Sequence, residues 1–288
     1  MKNSYLILTV MISLLLSACN ITSAFSTTKS AKAPPISVQL WSVREGVKQD
    51  FKGSLKRIAA MGYQGVEFAG DYGPFKNDPE GLKAFLASLN LVGSGAHVNT
   101  KIMQSEKLDE TLSYLQKAGF KLVIIPIDGR AWQPNKIHSL TQDLTKWHAK
   151  AKQYGLKLAY HNHHQEFRDF KGSTFWDYIA QNTPNDLMLQ LDIGWTNYSN
   201  KDPIEYVKRY PNRTIATHIK IRTQGNTGIN TIIGQDNFDW TELVKTFKEH
   251  GGTEWLVIEQ EEWPQGYDAF SAIEASKKGL ETFITKLP

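Results

Sequence analysis

Residues 160–167 read YHNHHQEF, and they place three histidines, an asparagine and a glutamate directly after the apolar run LKLAY. A buried strand normally excludes polar side chains, so this change in character at the end of an apolar run is informative. Imidazole nitrogens and carboxylate oxygens are common ligands of divalent transition metals, and both groups also transfer protons. The cluster therefore predicts a metal site, acid–base chemistry or both.

Ionisable side chains end other apolar runs of the chain as well. They are Glu67, His97, Asp192, His218, Lys220, Glu259 and Glu261. Any one such residue is often only a helix N-cap or a solvated surface group. As a set they predict one polar site, provided that the fold brings these strand ends together.

The apolar runs themselves predict that fold. Eight runs rich in Val, Ile and Leu recur about thirty residues apart, as buried parallel strands separated by helices do, at 36–41, 65–70, 91–98, 121–127, 156–161, 187–192, 214–221 and 254–259. Three of the amphipathic segments between them end in a glycine typical of a helix C-terminus, at Gly62, Gly119 and Gly155. Eight strand–helix units predict an α/β fold, a (β/α)8 TIM barrel. A doubly wound open sheet is the alternative, but its G-x-G-x-x-G fingerprint does not follow the first strand.

A barrel gathers the polar residues at one end, because active sites of this fold lie at the C-terminal ends of the strands. Strands five to eight end at equivalent positions in His161, Asp192, His218 and Glu259. Two imidazoles and two carboxylates on adjacent strands can converge on one divalent ion, such as Mn²⁺, Zn²⁺, Co²⁺ or Fe²⁺, and Mg²⁺ is kept open. A hydrogen-bonded polar rim without a metal is the alternative interpretation.

The chain also resembles the sugar phosphate isomerase/epimerase superfamily of xylose-isomerase-like barrels, which includes inosose dehydratases, ketose 3-epimerases and enzymes of the endonuclease IV type. The resemblance extends from the string VQLWSVRE to the last predicted helix, and it is carried by the strand order and by the strings LQLDIGW, THIKI, LVIEQE, YHNHHQEF and GQDNFDW. It implies a divalent metal held by Asp192, His218, Glu259 and a ligand on strand five. It also implies a sugar or cyclitol substrate whose adjacent oxygens bind that metal.

One position departs from the pattern of the ketose epimerases in this superfamily. Their strand-five ligand is a glutamate that also serves as one of two bases, whereas this chain has His161. An imidazole bound to a metal has no free lone pair, so His163 or Glu166 is expected to supply the second acid–base function beside Glu259. Lys220 is expected to face the lumen and stabilise an enediolate, and a solvated lysine is its alternative.

Aromatic and polar residues near the strand ends fit a carbohydrate substrate, because a flat ring can cover the C–H face of a sugar. The expected substrate-binding residues are Glu67, His97, Trp41 and Trp195, with Phe68 and Trp263 as further aromatic candidates. Trp240 is assigned to the core instead.

The expected activity is a metal-dependent sugar isomerase or epimerase that removes a proton next to a metal-polarised carbonyl of a keto-sugar. A lyase or hydrolase of 3-oxo-glycosides and a non-catalytic sugar-binding lipoprotein are the alternatives. The chain has 33 Lys and Arg residues against 29 Asp and Glu residues, and this mild balance does not favour nucleic acid as a partner.

The N-terminal segment predicts export. Residues 1–18 combine Lys2 with the apolar run YLILTVMISLLL and read as a signal peptide, and LSAC at 16–19 resembles a lipobox. Cys19, the only cysteine of the chain, would carry the lipid anchor, residues 19–34 would form a tether and residues 35–288 the barrel. The predicted location is therefore periplasmic and membrane-anchored, and an ordinary signal peptide with a chance cysteine is the alternative.

Overall fold

A computed structural model of the 288-residue chain describes residues 33–222 and 231–286. The expected signal peptide, Cys19 and nearly all of the expected tether lie outside the described residues. In the described part of the chain, no helix is both long and apolar enough to cross a membrane.

Eight parallel strands close into a barrel, which confirms the predicted (β/α)8 fold. They are β1 (Ile36–Gln39), β2 (Gly65–Phe68), β3 (Val92–His97), β4 (Leu122–Ile125), β5 (Lys157–His161), β6 (Met188–Asp192), β7 (Ala216–Ile219) and β8 (Trp255–Ile258). Each strand pairs with the next along the chain, and β8 pairs with β1. All eight lie within the predicted apolar runs and are shorter, because the ends of those runs continue into the loops.

Helices surround the barrel. They are α1 (Arg44–Gln49), α2 (Phe51–Ala60), α3 (Pro79–Ser88), α4 (Thr100–Met103), α5 (Leu108–Lys117), α6 (Ile137–Gln153), α7 (Phe175–Gln181), α8 (Ile193–Tyr198), α9 (Pro203–Arg209), α10 (Trp240–Thr246) and α11 (Ala269–Ile284). A short antiparallel pair, Asp169–Phe170 with Ser173–Thr174, follows β5. Trp240 is fully buried, as expected of a core residue.

Helix α2 shows how the sequence produces these elements. The side chain of Asp50 accepts a hydrogen bond from the backbone N–H of Gly53 and so caps the first turn. Phe51, Leu55 and Ile58 recur at helical spacing and are buried against the barrel. Gly62 follows the helix with φ of +78°, a left-handed conformation that favours glycine, and Gly119 and Gly155 end α5 and α6 in the same way.

The barrel lumen changes from apolar to polar along the strands. Because side chains alternate across a strand, every second residue points inward. The apolar inward residues pack together and include Leu122, Ile124, Ala159, Met188, Ala216 and Val257. Two or four residues further on, at the C-terminal ends of β5 to β8, the inward residues are His161, Asp192, His218 and Glu259. The strand period therefore brings the four expected metal ligands to the same end of the lumen.

Candidate active site

His218, on β7, lies at the centre of this polar end and is fully buried. Its Nε2 lies 2.6 Å from Oε1 of Glu67, and its Nδ1 lies 3.0 Å from Oε2 of Glu259 and 3.6 Å from Oδ2 of Asp192. Burial opposes a charge on this imidazole, but the charges of Glu259 and Glu67 outweigh it and hold the His218 pKa well above its usual range. The bond to Glu67 directs Nδ1 toward the two other carboxylates.

Two overlapping groups of side chains are arranged as metal ligands. The first is Asp192, His218 and Glu259, the second is His97, His161 and His218, and the ligand atoms within each group lie within 4.8 Å of one another. The Nε2 of His161 is also 3.9 Å from Oδ2 of Asp192. The structure therefore brings the four sequence-predicted ligands together, with His97 beside them.

The position of Asp192 fits a role as a ligand. Its Oδ1 accepts the backbone N–H of Trp195 at 2.8 Å and caps α8, and its own backbone N–H donates to Oδ1 of Asn162 at 2.9 Å. Its Oδ2 is buried and, among the described residues, accepts no hydrogen bond of good geometry. Nδ1 of His161 is likewise buried without a hydrogen-bond partner there. A mixed set of imidazole nitrogens and carboxylate oxygens suits Zn²⁺, Mn²⁺, Co²⁺ or Fe²⁺.

Lys220 places a positive charge on the same oxygens. Its Nζ lies 2.9 Å from Oδ2 of Asp192, 2.5 Å from Oε2 of Glu259 and 2.9 Å from Oε2 of Glu261, and its side chain is fully buried. Burial would lower the Lys220 pKa, but Asp192 and Glu259 outweigh it and raise this pKa above its usual range. In return, Lys220 and His218 overcome the burial of Glu259 and hold its pKa well below the usual value. The alternative of a solvated lysine is therefore wrong, and Lys220 is an internal counterion.

Glu67 lies beneath the site rather than on its surface. It is fully buried, and it accepts hydrogen bonds from Nε2 of Gln39 at 2.8 Å and from Nε2 of Gln190 at 2.6 Å. Burial would raise the Glu67 pKa, but His218 and His97 lower it to about 2. The sequence predicts a substrate contact for Glu67, but in the structure its carboxylate is enclosed by these four side chains and does not line the reaction cavity. In this position it orients His218.

A cavity of about 350 Å³ opens at this end of the barrel, a volume within the range of small-molecule sites. We call it the reaction cavity. Its lining includes two candidate ligands, two further ionisable side chains and two residues expected to bind substrate, namely His161, Glu259, His163, Glu261, His97 and Trp41. Trp41 is 47% exposed, so its ring is accessible at the rim.

His163 and Glu261 are the acid–base groups that line the reaction cavity without belonging to either group of ligands. The ring of His163 lies 5.0 Å from that of His161 and nearly perpendicular to it. Burial lowers the His163 pKa to about 4, whereas burial raises the Glu261 pKa despite the opposing charge of Lys220. The sequence places Glu261 in the polar set at the strand ends but predicts no acid–base role for it, although it follows Glu259 by two residues, the spacing at which side chains of an extended chain share a face.

Glu166 does not reach the reaction cavity. It is fully buried, its Oε1 accepts the hydroxyl of Tyr160 at 2.9 Å, and its Oε2 accepts the backbone N–H of His163 at 3.0 Å. Tyr160 points outward from β5 and packs near Trp176, so Glu166 lies between the barrel and its helices. Burial raises the Glu166 pKa to about 7. The base or ligand role predicted for Glu166 therefore has no support in this geometry, in which Glu166 anchors the backbone that carries His163.

Among the aromatic candidates, only Trp41 lines the reaction cavity in the described part of the chain. The Trp195 ring lies 5.8 Å from His163 and stacks under the guanidinium of Arg222 at 4.4 Å, so it packs behind the wall of the cavity. Phe68 is fully buried and packs edge-on against Phe120 at 5.3 Å. Neither ring lines the reaction cavity, and the substrate contact expected of Trp195 stays a prediction.

Comparisons with known proteins agree with this architecture. A family model described as xylose isomerase-like TIM barrel matches residues 55–281. The inosose dehydratase of Bacillus velezensis is 27% identical over 247 residues, which cover 73% of this chain and 81% of that protein. The inosose dehydratase of Clostridium botulinum is 24% identical over 258 residues, covering 76% of this chain and 85% of that protein.

Solved structures show the same fold. A sugar phosphate isomerase/epimerase from Parabacteroides distasonis superposes with a TM-score of 0.70 at 23% identity, covering 91% of this chain and 99% of that chain. An IOLI protein with a bound zinc atom superposes with a TM-score of 0.67 at 17% identity, covering 88% and 98% of the two chains.

Proposed function

The chain belongs to the xylose isomerase-like TIM barrel family, and we propose that it is a metal-dependent lyase that eliminates water or an alcohol from a keto-sugar or keto-cyclitol. The observation that carries this proposal is the placement of His163 and Glu261. Both residues line the reaction cavity. His163 follows β5 and Glu261 follows β8, and these two strands lie on either side of β6 and β7, which carry Asp192 and His218. The similarity to inosose dehydratases supports the same class of reaction.

The metal would be held by Asp192, His218, Glu259 and His161, which lie close together, and His161 and Glu259 line the reaction cavity. When bound, a divalent ion polarises a carbonyl oxygen and makes the neighbouring C–H more acidic. Glu67 keeps His218 oriented for this task through the hydrogen bond to Nε2.

Two residues of the reaction cavity, His163 and Glu261, would carry out the two proton transfers. The imidazole of His163 takes the proton from the carbon next to the carbonyl, and Glu261 donates a proton to the oxygen that leaves from the following carbon. The C–H and C–O bonds break, the C–H electron pair forms the new C=C bond, and the oxygen departs as water or an alcohol. Lys220 contacts Glu259 and Glu261 and holds both side chains in place during these steps.

The histidine on strand five favours elimination over epimerisation. Epimerisation by two carboxylate bases needs a carboxylate at the position of His161, and an imidazole engaged with a metal has no lone pair for a proton. Elimination needs a base at one carbon and an acid at the next, and the reaction cavity offers His163 and Glu261 for these tasks.

The test is to incubate the metal-loaded protein with keto-cyclitols, keto-sugars and 3-oxo-glycosides in D₂O and to follow the products by NMR. Loss of the β-oxygen substituent with formation of an enone is the expected result. Deuterium at the adjacent carbon without loss of the substituent would indicate isomerisation instead. Asp192→Asn and His218→Ala should lower the metal content by elemental analysis, with His148→Ala, a buried histidine of α6, as the control. No reaction on any probe would contradict the proposal.

We also propose that the protein is exported and anchored by a lipid on Cys19. The lipobox-like end of the N-terminal segment and the absence of any other cysteine in the sequence support this proposal.

A further inference from the structure

A second and larger concavity adjoins the reaction cavity. It has a volume of about 570 Å³ and lies along the loops that follow β2 and β3 and along α5. Gly70, His97 and Asn99 line both concavities. A ligand with its carbonyl among the candidate metal ligands can therefore extend past His97 into this second space, which we call the lysine groove.

The lysine groove carries an excess of positive charge. Lys76, Lys107 and Lys117 line it, together with one acidic residue, Glu110. Within the described ranges 33–222 and 231–286, none of these three lysines forms an ion pair with a carboxylate. Charge that is not neutralised by neighbours in a concave site attracts an anionic ligand.

Two tyrosines, whose rings are held in place by packing and a hydrogen bond, form an aromatic wall of the lysine groove. The rings of Tyr72 and Tyr114 lie 4.9 Å apart, and Tyr72 stacks on the buried Phe68 at 5.4 Å. The hydroxyl of Tyr114 donates to the backbone carbonyl of Phe75 at 2.7 Å, which holds this ring in place. Polar side chains such as Asn99 and Thr111 complete the lining. An aromatic wall with neighbouring hydroxyl and amide groups suits a sugar ring, which has an apolar face and a polar edge.

We propose that the lysine groove binds a second, negatively charged unit of the substrate, so that the substrate is a glycoside whose distal unit carries a carboxylate or a phosphate. This inference rests on the proposed function, because the elimination places the reacting ketone at the candidate metal ligands. In a 3-oxo-glycoside the leaving oxygen is the glycosidic one, and the distal unit departs as the alcohol once that oxygen takes a proton. The substrate is already a ketone, so no oxidant is needed.

The experiment measures binding rather than turnover. Methyl β-D-glucuronide, glucose 6-phosphate and the neutral methyl β-D-glucoside are titrated into the full chain by isothermal calorimetry. We expect one of the two charged probes to bind about tenfold more tightly than the neutral one, since a charge-assisted contact has this size. Preference for the glucuronide or for the phosphate identifies the source of the charge. Equal binding of all three probes would overturn the inference.

Lysine variants test whether the charged probe binds in the lysine groove. Lys107→Glu with Lys117→Glu should abolish the advantage of the charged probe, and the milder pair Lys107→Gln with Lys117→Gln should reduce it. A matched double variant of exposed lysines elsewhere, Lys146→Glu with Lys278→Glu, should bind like the wild type. Wild-type binding by the groove variants, with unchanged thermal unfolding, would overturn the inference.

The two proposals fail in different ways. Binding of the charged probe that depends on Lys107 and Lys117, without turnover of any ketone, would contradict the lyase and leave the groove as an anion site. Turnover of neutral keto-glycosides at the same rate in the wild type and the groove variants would contradict the groove and leave the lyase.

Discussion

His218 and Glu67 form a hydrogen bond of 2.6 Å between Nε2 and Oε1 inside the barrel, and it joins β7 to β2, two strands that are not neighbours. Glu67 is itself held by Gln39 and Gln190, so the orientation of the imidazole is set by residues that do not line the reaction cavity. Carboxylates in this position fix the tautomer and the basicity of a ligand histidine. Glu67 is therefore expected to control metal binding without contacting the metal.

Replacing Glu67 with Gln should weaken metal binding by about 10–100-fold, the usual cost of losing the carboxylate partner of a ligand histidine. The measurement is the affinity for Zn²⁺ and Mn²⁺ by calorimetry. Glu166→Gln is the matched control, because Glu166 is equally buried but bonds to Tyr160 and His163 instead. Equal affinities in the two variants would show that the contact with His218 does not orient a ligand.

Replacing Lys220 with Met should tighten metal binding and destabilise the metal-free protein. Removing one partner of a buried ion pair typically costs about 3–5 kcal/mol, because the opposite charge stays buried without compensation. A divalent ion would compensate Asp192 and Glu259 once the ammonium no longer contacts them.

The measurements for Lys220→Met are metal affinity and urea unfolding with and without metal. Lys277→Met is the control, since this nearly buried lysine pairs with Glu281 on α11 at 2.6 Å. Weaker metal binding in Lys220→Met would mean that the lysine arranges the carboxylates for the metal rather than competing with it.

His163→Asn and Glu261→Gln should each lower turnover by ~10²–10⁴, the usual contribution of a positioned general acid or base, while metal content is retained. Glu166→Gln should lower it much less, because Glu166 supports the loop and does not line the reaction cavity. Turnover is measured at saturating metal with the substrate identified by the D₂O experiment. Full activity in both His163→Asn and Glu261→Gln would place the acid–base pair elsewhere.

Glu166 should make the stability of the protein depend on pH. Burial raises its pKa from the ordinary 4.5 to about 7, so the folded chain binds a proton that the unfolded chain releases between these values. The contribution of Glu166 to the free energy of unfolding is fully present below pH 4.5 and is lost as pH rises toward 7. Its magnitude is on the order of a few kcal/mol. Urea unfolding of the wild type and Glu166→Gln between pH 4.5 and 8 tests this. Parallel pH profiles for the two proteins would contradict it.

Cys19→Ala should release the protein from the membrane fraction, because a lipobox cysteine is the attachment point of the lipid. The measurement is the distribution of the protein between membrane and soluble periplasmic fractions. Ser17→Ala, a change beside the cysteine that leaves it available, is the control. An unchanged membrane fraction for Cys19→Ala would mean that the cysteine is not the anchor.

The sequence by itself determined the barrel and the four residues that meet in its lumen. Eight apolar runs predicted the strands, and glycines at Gly62, Gly119 and Gly155 marked the ends of helices. Asp192 and His218 could be placed because the period of a regular strand decides which side chains face inward. Apolar runs, glycines at helix ends and strand alternation are all local properties of the chain, so the sequence alone is enough to predict them.

Only the tertiary structure decided where the side chains of Glu67, Glu166 and Trp195 lie and what they contact. Glu67 faces inward as a strand residue should, but its partner His218 is 151 residues away, and the depth at which they meet depends on the stagger of the closed barrel. Glu166 and Trp195 lie beyond the last residues of their strands, where the two-residue period no longer applies. There the direction of the backbone depends on hydrogen bonds within the loop and on the packing of neighbouring helices. Only the folded chain therefore shows which side chains reach the reaction cavity.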